Sequence, residues 1–184
     1  CTIPTSLSAG NVVVVDGGPY SGNSPGNALS LTGTGTASQP IFVRGKDPAT
    51  RPQMQVDDLY TNNAEYMIVE NLNFTYTTWG SSVNYFAFRH NELRGKGGNI
   101  GLSPLGMNSV IYDNDIHHAG KNPDGSLGIY DKTGIALVAG SQHVWIVDNN
   151  IHENSGDGII FCHLCPEALA PEYVYIGRNV IHDN

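Results

Sequence analysis

The sequence predicts an all-β solenoid of about six or seven coils built from short parallel strands, and three observations support this prediction. An Ile-x-x-Asn-x-Ile-His motif recurs along the chain. Within each copy, apolar residues such as Val144 and Ile146 alternate with polar ones, which is the periodicity of a strand. Glycine accounts for 22 of 184 residues and charged residues for only 14%, as expected for short strands joined by tight turns.

In chain order, residues 1–60 are expected to form the opening coils of one domain that covers residues 1–184. Residues 61–184 are expected to form regular coils, with insertions at 119–133 and 162–172. The aligned asparagines are Asn71, Asn91, Asn114, Asn149 and Asn179. Their unequal spacing, from 20 to 35 residues, indicates that some coils carry longer loops than others.

Each of these asparagines is expected to occupy a corner of its coil. Asparagine tolerates the left-handed backbone conformation that such a corner needs. Stacked asparagine side chains can also hydrogen-bond from one coil to the next. The aligned asparagines therefore predict a ladder that runs along the solenoid.

The motif, followed by a Gly-Ile pair such as Gly134-Ile135 or Gly158-Ile159, resembles the right-handed parallel β-helix repeat of the pectate-lyase-like superfamily. The opening segments GNVVVVDGGPYSG and LSLTGTGTASQPIFVRG, with AEYMIVENLNF after them, resemble the N-terminal part of chondroitinase-B-like and alginate-lyase-like enzymes. The resemblance covers roughly residues 10–184 and implies a single-stranded right-handed parallel β-helix.

The same resemblance implies an extracellular or cell-surface, carbohydrate-active protein, and favours a polysaccharide lyase or a related glycan-cleaving enzyme. It leaves two alternatives open, because many activities share this scaffold. One is a uronate epimerase. The other is a non-catalytic surface, fibre or adhesin β-helix that stacks end to end or binds glycan.

Charge and hydropathy limit the partners. The net charge is −8 and no Lys/Arg run is present, so nucleic acid is not an expected partner. The sequence has no run of 18 apolar residues, so membrane insertion is not expected. The expected partner is a polysaccharide or other glycan. Because no capping helix precedes residue 10 and Asn184 falls in mid-repeat, end-to-end self-association or a missing remainder of the chain is also expected.

Two outward columns are expected beside the inward-facing isoleucine of each copy. The first contains Glu92, Asp115, Asn150 and Val180, and the second contains Arg94, His117, His152 and His182. Histidine transfers protons near neutral pH, and arginine stabilises a developing enolate, so His117, His152 and Arg94 are candidate catalytic residues. Candidate substrate-binding residues are Asp115, which would orient a histidine, Asn150 and His182. The alternative is a solvated ladder of polar residues without a catalytic role.

The two insertions supply the remaining candidates, because long loops on a rigid scaffold often carry function. If both insertions left the same corner, they would wall a cleft with Tyr130 and Lys132 as acid and base. The other candidates are Asp157 as a catalytic residue and Asp131 and His163 as binding residues. Paired aspartates do the chemistry in related hydrolases, but Asp157 has no neighbouring Asp and also fits a simple turn.

Metal and thiol chemistry are less sharply indicated. The carboxylates near predicted corners are Glu70, Asp113, Asp115, Asp148 and Glu153. They make Ca²⁺ a candidate cofactor, although no contiguous Asp-rich loop is present and no ligand set is assigned. A transition-metal site at His117 and His152 is a further alternative. Cys162 and Cys165 form a C-x-x-C pair that is compatible with a disulfide or with two free thiols.

The net charge also bears on the substrate. A chain at −8 repels a polyanion unless a cation or a local basic patch offsets that charge. Both neutral glycans and uronate polymers are therefore expected substrates.

Overall fold

Short parallel strands stack coil upon coil into a parallel β-helix, as the repeat predicts. The computed structural model describes residues 2–75, 77–95, 102–128, 131–162 and 166–184, without the side chains of 78–81 and 102–105. Every coil passes through three faces, here named A, B and C. Within the described ranges no helix is long and apolar enough to cross a membrane.

Face A precedes the asparagine corner. Its strands, in stacking order, are β2 (Val12–Val15), β5 (Ile41–Gly45), β8 (Ala64–Glu70), β10 (Thr78–Arg89), β12 (Leu102–Tyr112), β15 (Gln142–Val147) and β18 (Tyr175–Gly177).

Face B follows the asparagine corner. Its strands are β6 (Gln53–Met54), β9 (Asn73–Thr75), β11 (Glu92–Arg94), β13 (Asp115–His117), β16 (Asn150–His152) and β19 (Val180–His182). A parallel bridge between Tyr20 and Met54 adds one more level. The described residues therefore stack at seven levels on this face, within the predicted range.

Face C closes the triangle. It contains β3 (Ala28–Ser30), β7 (Asp58–Tyr60), β14 (Ile135–Leu137) and β17 (Ile159–Phe161), together with the first residues of β10 and β12. Both long strands turn the corner from face C to face A. Two further strands, β1 (Ser6–Ser8) and β4 (Thr32–Thr34), pair near the N-terminus, and short 3-10 turns lie at Pro25–Asn27 and Glu167–Leu169.

The core consists of inward-facing columns of large apolar side chains. On face B the column is Phe74, Leu93, Ile116 and Ile151, all fully buried. Each such side chain contributes about 1.5–3 kcal/mol through burial. The strict alternation also fixes which residues of face B point outward.

The asparagine ladder is present, and its backbone corrects one prediction. The left-handed residue of each corner is the one before the ladder position. These residues are Asn71, His90, Asp113, Asp148 and Arg178, with φ between 50° and 58°. Because Phe74 pairs with Leu93 in the core, Leu72 takes the ladder position in its coil. Asn71 was therefore placed one residue out of register by the repeat alignment.

The ladder satisfies buried backbone groups between coils. Asn114 Oδ1 accepts a hydrogen bond from the Asn91 amide at 3.0 Å, and Asn114 Nδ2 donates to the Phe88 carbonyl at 2.9 Å. Asn149 repeats both contacts one coil further on, to the Asn114 amide and the Ile111 carbonyl. The ladder thus pairs donors and acceptors that the corner would otherwise leave buried and unpaired.

The two insertions leave different corners, which contradicts the expectation of a shared cleft. Residues 119–133 connect β13 on face B to β14 on face C, whereas residues 162–172 connect β17 on face C to β18 on face A. The described part of the second insertion contacts the C–A corner, where the Gly140 amide donates to the Leu169 carbonyl at 2.8 Å. Only the first insertion lies beside the histidine column.

Candidate functional site

The histidine column forms on face B with the predicted register. Arg94 pairs with His117, His117 with His152, and His152 with His182. The imidazole rings of His117 and His152 stack with centroids 5.1 Å apart, and those of His152 and His182 stack at the same distance. The stacking follows from the spacing of the coils.

The neighbouring column supplies carboxylates to these rings. His152 Nε2 lies 3.0 Å from Asp115 Oδ1, and His152 Nδ1 lies 3.0 Å from Glu153 Oε2. A carboxylate oxygen therefore lies at each ring nitrogen of His152. Asn150 Nδ2 donates to the same Asp115 oxygen at 3.0 Å. Asp115 therefore contacts both His152 and Asn150.

His117 has a different environment. Its Nε2 lies 3.7 Å from Glu92 Oε1, and this approach holds the pKa of the Glu92 carboxyl below its usual value despite partial burial. On the other side, His117 Nδ1 lies 2.7 Å from His118 Nδ1. A hydrogen bond between two imidazole nitrogens requires one protonated and one unprotonated nitrogen, so the pair shares one proton at this contact.

His118 is a site residue that the repeat alignment missed. It has a left-handed backbone with φ 61°, at the position that Glu153 and Asp183 occupy in the next two coils. Burial lowers the pKa of the His118 imidazole first, and the charges of His117, Arg94 and Lys121 lower it further, while Glu153 opposes them. The doubled histidine in the sequence IHHAG, where the later copies have His-Glu and His-Asp, was the signal for it.

The first insertion brings cationic side chains to this pair. Arg94, which is partly buried, donates from Nη2 to the Pro123 carbonyl of the insertion at 2.9 Å. Lys121 lies near enough to lower the pKa of Glu153 as well as that of His118. Arg94, His117, His118 and Lys121 are here named the B–C cluster. Two carboxylates adjoin it, with Glu92 Oε1 3.7 Å from His117 Nε2 and Glu153 Oε2 4.0 Å from His118 Nδ1.

A second group of predicted residues lies across the same corner. Asp131 and Asp157 line one concavity of about 690 Å³, together with Thr133, Ser155 and Gly156. The Lys132 amide donates to Ser155 Oγ at 3.0 Å, which fixes the end of the insertion against the next coil. Both aspartates are exposed. The structure thus brings Asp131 and Asp157 together and holds Lys132 beside them.

Other predicted residues are not gathered into this site. His182 pairs with Asp183, at 2.8 Å between Nδ1 and Oδ2, three coils from Arg94. Tyr130, His163 and Cys165 lie outside the described residues. Cys162 is disulfide-bonded.

Cation binding finds little support here. Within the described ranges, no three His, Cys, Asp or Glu side chains converge as a metal site. Asp148, one of the carboxylates considered for Ca²⁺, is instead paired with Arg178, which lowers the pKa of Asp148. A transition-metal site at His117 and His152 has no third such ligand among these residues.

Comparison with known proteins supports the fold. No protein-family model matches the chain, and no curated protein matches it. Among solved structures, the chain is similar to the crystal structure of alginate lyase from Paenibacillus sp. str. FPU-7. The TM-score is 0.51 and the sequence identity 15%, covering 96% of this chain and 69% of that chain. The comparison therefore supports the parallel β-helix fold and no more than the fold.

Proposed function

We propose that this protein is a polysaccharide lyase that cleaves a uronate-containing polymer by β-elimination at the B–C cluster. The observation that carries the proposal is the His117–His118 pair, one member of which has a lowered pKa, set beside Arg94 and Lys121. The likeness to an alginate lyase is consistent with this reaction class at the level of fold.

The residues of the cluster match the demands of the reaction. A neutral imidazole of His118 accepts the proton at C5 of the uronate, and the released electron pair forms the C4–C5 double bond as the C4–O bond breaks. Arg94 and Lys121 neutralise the uronate carboxylate, whose charge grows as the enolate forms. His117, which shares a proton with His118, returns a proton to the leaving oxygen.

The same cations address the charge problem of the substrate. The chain as a whole is at −8 and repels a polyanion. Arg94 and Lys121 supply positive charge beside the reactive histidines, where the uronate carboxylate must bind. His152, held between two carboxylates, binds substrate in this scheme instead of removing the proton. Asn150, His182, Asp131 and Asp157 extend the binding surface on either side, and we place the protein outside the cell, where such polymers occur.

The test is incubation with a panel of uronate polysaccharides while the ultraviolet absorbance of unsaturated products is followed. His118→Asn keeps a residue that tolerates the left-handed backbone and is expected to lower kcat at least about 100-fold, the usual contribution of general acid–base catalysis. His90→Asn is the matched control, because His90, like His118, has a left-handed backbone. His90 lies at another corner, where its Nδ1 contacts Asp113. Equal activity in both variants would remove His118 from the mechanism.

A second candidate function is glycan binding without catalysis. The specific observation in its favour is the regular stack of His117, His152 and His182, whose rings lie within 11° of parallel. Such a regular ladder also serves as a binding surface or as simple packing. Wild-type protein that binds a uronate polymer and releases no unsaturated product would favour this second function, and a change in uronate stereochemistry without cleavage would indicate an epimerase.

A further inference from the structure

A concavity lined by two basic and two acidic residues lies toward the N-terminal end of the solenoid, away from the B–C cluster. Two loops form it, at residues 16–19 and 46–53, and its volume is about 350 Å³. Arg51 and Lys46 are its basic residues. The proposed reaction does not use this concavity.

Arg51 is the unusual member of this group. It is partly buried, and its Nε atom is buried without a hydrogen-bond partner. Within the described residues the Arg51 guanidinium makes no ion pair, although it lies near enough to Glu92 to contribute, after His117, to lowering that carboxyl's pKa. A buried polar group without a partner is rare in native proteins and calls for a physical explanation.

The carboxylates closest in sequence are already engaged. Asp16 Oδ2 pairs with Lys46 Nζ at 2.6 Å. Asp47 accepts hydrogen bonds from the Ala49 amide and from Thr50 Oγ1, both at 2.9 Å, within its own loop. The loops therefore hold a cation at Arg51 without providing its counter-ion.

The facing loop offers backbone donors. Gly17 and Gly18 have φ of 81° and 128°, and a Cβ at Gly18 would lie 3.2 Å from the Gln53 carbonyl oxygen. Neither glycine amide donates to a residue of the described chain. Arg51 lines the same concavity as these two glycines, and a guanidinium fork together with backbone amides suits a planar carboxylate.

The concavity lies along the same face as the candidate site. Gln53, which lines it, pairs with Asn73, and Asn73 pairs with Glu92 in the coil of Arg94. Two coils separate the two places, which is roughly 10 Å along the axis. A polymer lying along face B from the B–C cluster would reach Arg51.

We propose that this concavity is a subsite that binds the carboxylate of a uronate residue distant from the one that reacts. The proposal rests on the proposed function for the identity of the polymer. Arg51 holds the carboxylate through its guanidinium, and the Gly17–Gly18 amides complete the contact.

The test is affinity electrophoresis in native gels that contain uronate polysaccharide, with the dissociation constant taken from retardation against polymer concentration. Arg51→Gln is expected to weaken binding at least about tenfold, the effect of losing one charge-assisted hydrogen bond. Arg51→Lys should restore part of it, because a point charge replaces the fork. Arg44→Gln is the matched control. Arg44 is exposed and has no ion pair among the described residues, but it lies on face A over Phe42.

The control polymers and kinetics make the outcome decisive. A carboxyl-reduced polymer in the gel should retard the wild-type protein and Arg51→Gln equally. The subsite would be overturned if Arg51→Gln and Arg44→Gln weakened binding equally, or if neither variant weakened it. It would also be overturned if a sulfated glucan, and not the uronate polymer, retarded the protein in an Arg51-dependent way. If Arg51-dependent binding is found but no unsaturated product forms, the lyase proposal fails and the subsite stands. Cleavage by Arg51→Gln with the KM of the wild type would overturn the subsite and leave the lyase proposal standing.

Discussion

Replacement of Asn114 by alanine tests whether the ladder stabilises the solenoid. Asn114 is 2% exposed. Its side chain accepts from the Asn91 amide and donates to the Phe88 carbonyl and to Asn149 Oδ1. Alanine would leave the Asn91 amide and the Phe88 carbonyl without these partners, whereas Asn149 Oδ1 would keep the backbone amide of residue 114.

The expected loss follows from those two groups. A buried donor or acceptor left unsatisfied costs about 1–3 kcal/mol, so Asn114→Ala should lower the free energy of unfolding by about 2–6 kcal/mol. Domains of this kind are stable by about 5–15 kcal/mol, so such a loss is a large share of the total. The variant should therefore unfold at a much lower urea concentration than the wild type.

The assay is equilibrium urea unfolding followed by far-ultraviolet circular dichroism, with the slope compared between variants. Asn150→Ala is the control, because Asn150 points outward and its side chain has one described contact, the hydrogen bond to Asp115. We expect it to cost less than about 1 kcal/mol, the net value of a single hydrogen bond. Equal losses in the two variants would refute the idea that the inner ladder carries this stability.

Two further predictions concern packing and pH. Gly45→Ala should lower the unfolding free energy by about 1–3 kcal/mol through overpacking, since a Cβ there would lie 2.0 Å from the Asn71 carbonyl oxygen; an unchanged urea midpoint would contradict this. Because the folded state lowers the pKa of His118 below 6.5, the unfolded state binds more protons near that pH, and stability is present above it and lost as pH falls. As the pH is lowered below 6.5, the urea concentration at the unfolding midpoint should therefore fall in the wild type and fall less in His118→Asn. The same dependence of the midpoint on pH in both proteins would exclude His118 as the cause.

The register of face B was predictable because three signals agree in each copy. The ladder asparagine, the inward isoleucine and the outward histidine recur at fixed offsets in residues 149–152 and 179–182. A one-residue slip would move every apolar side chain of the strand to the solvent face, so the pattern tolerates a single register. The Arg94–His117–His152–His182 column followed from that register.

The register of the corner at residues 68–72 was not predictable by the same reasoning. Ile68 and Val69 are both apolar, so the segment IVEN aligns with either residue facing inward. The structure selects Val69, which is fully buried and pairs with Phe88. Leu72 then occupies the ladder position, and only its backbone amide joins the ladder, as a donor to Asn91 Oδ1 at 2.9 Å.

A second asparagine ladder at the B–C corner was missed. Asn154 Oδ1 accepts from the Ala119 amide at 2.9 Å, and Asn184 Oδ1 accepts from Asn154 Nδ2 at 2.7 Å. Its sequence signal was a spacing of five residues after Asn149 and again after Asn179. The corners from which the two insertions leave could not be predicted from the sequence, because they depend on which of the three faces holds β14 and β17.

The candidate site lies where the repeat changes. In the last two coils the corner after the histidine carries an acid, and each acid pairs with its histidine, as Glu153 does with His152 and Asp183 with His182. One coil earlier the acid is replaced by His118, and the outward position one coil before that carries Arg94 in place of histidine. A regular ladder needs neither change, since a carboxylate at residue 118 would pair with His117 as its counterparts do. Both replacements add basic groups at one point of an acidic chain. The Glu153 carboxylate lies 4.0 Å from His118 Nδ1, beyond hydrogen-bond distance, so it does not hold the imidazole that we propose to remove the proton.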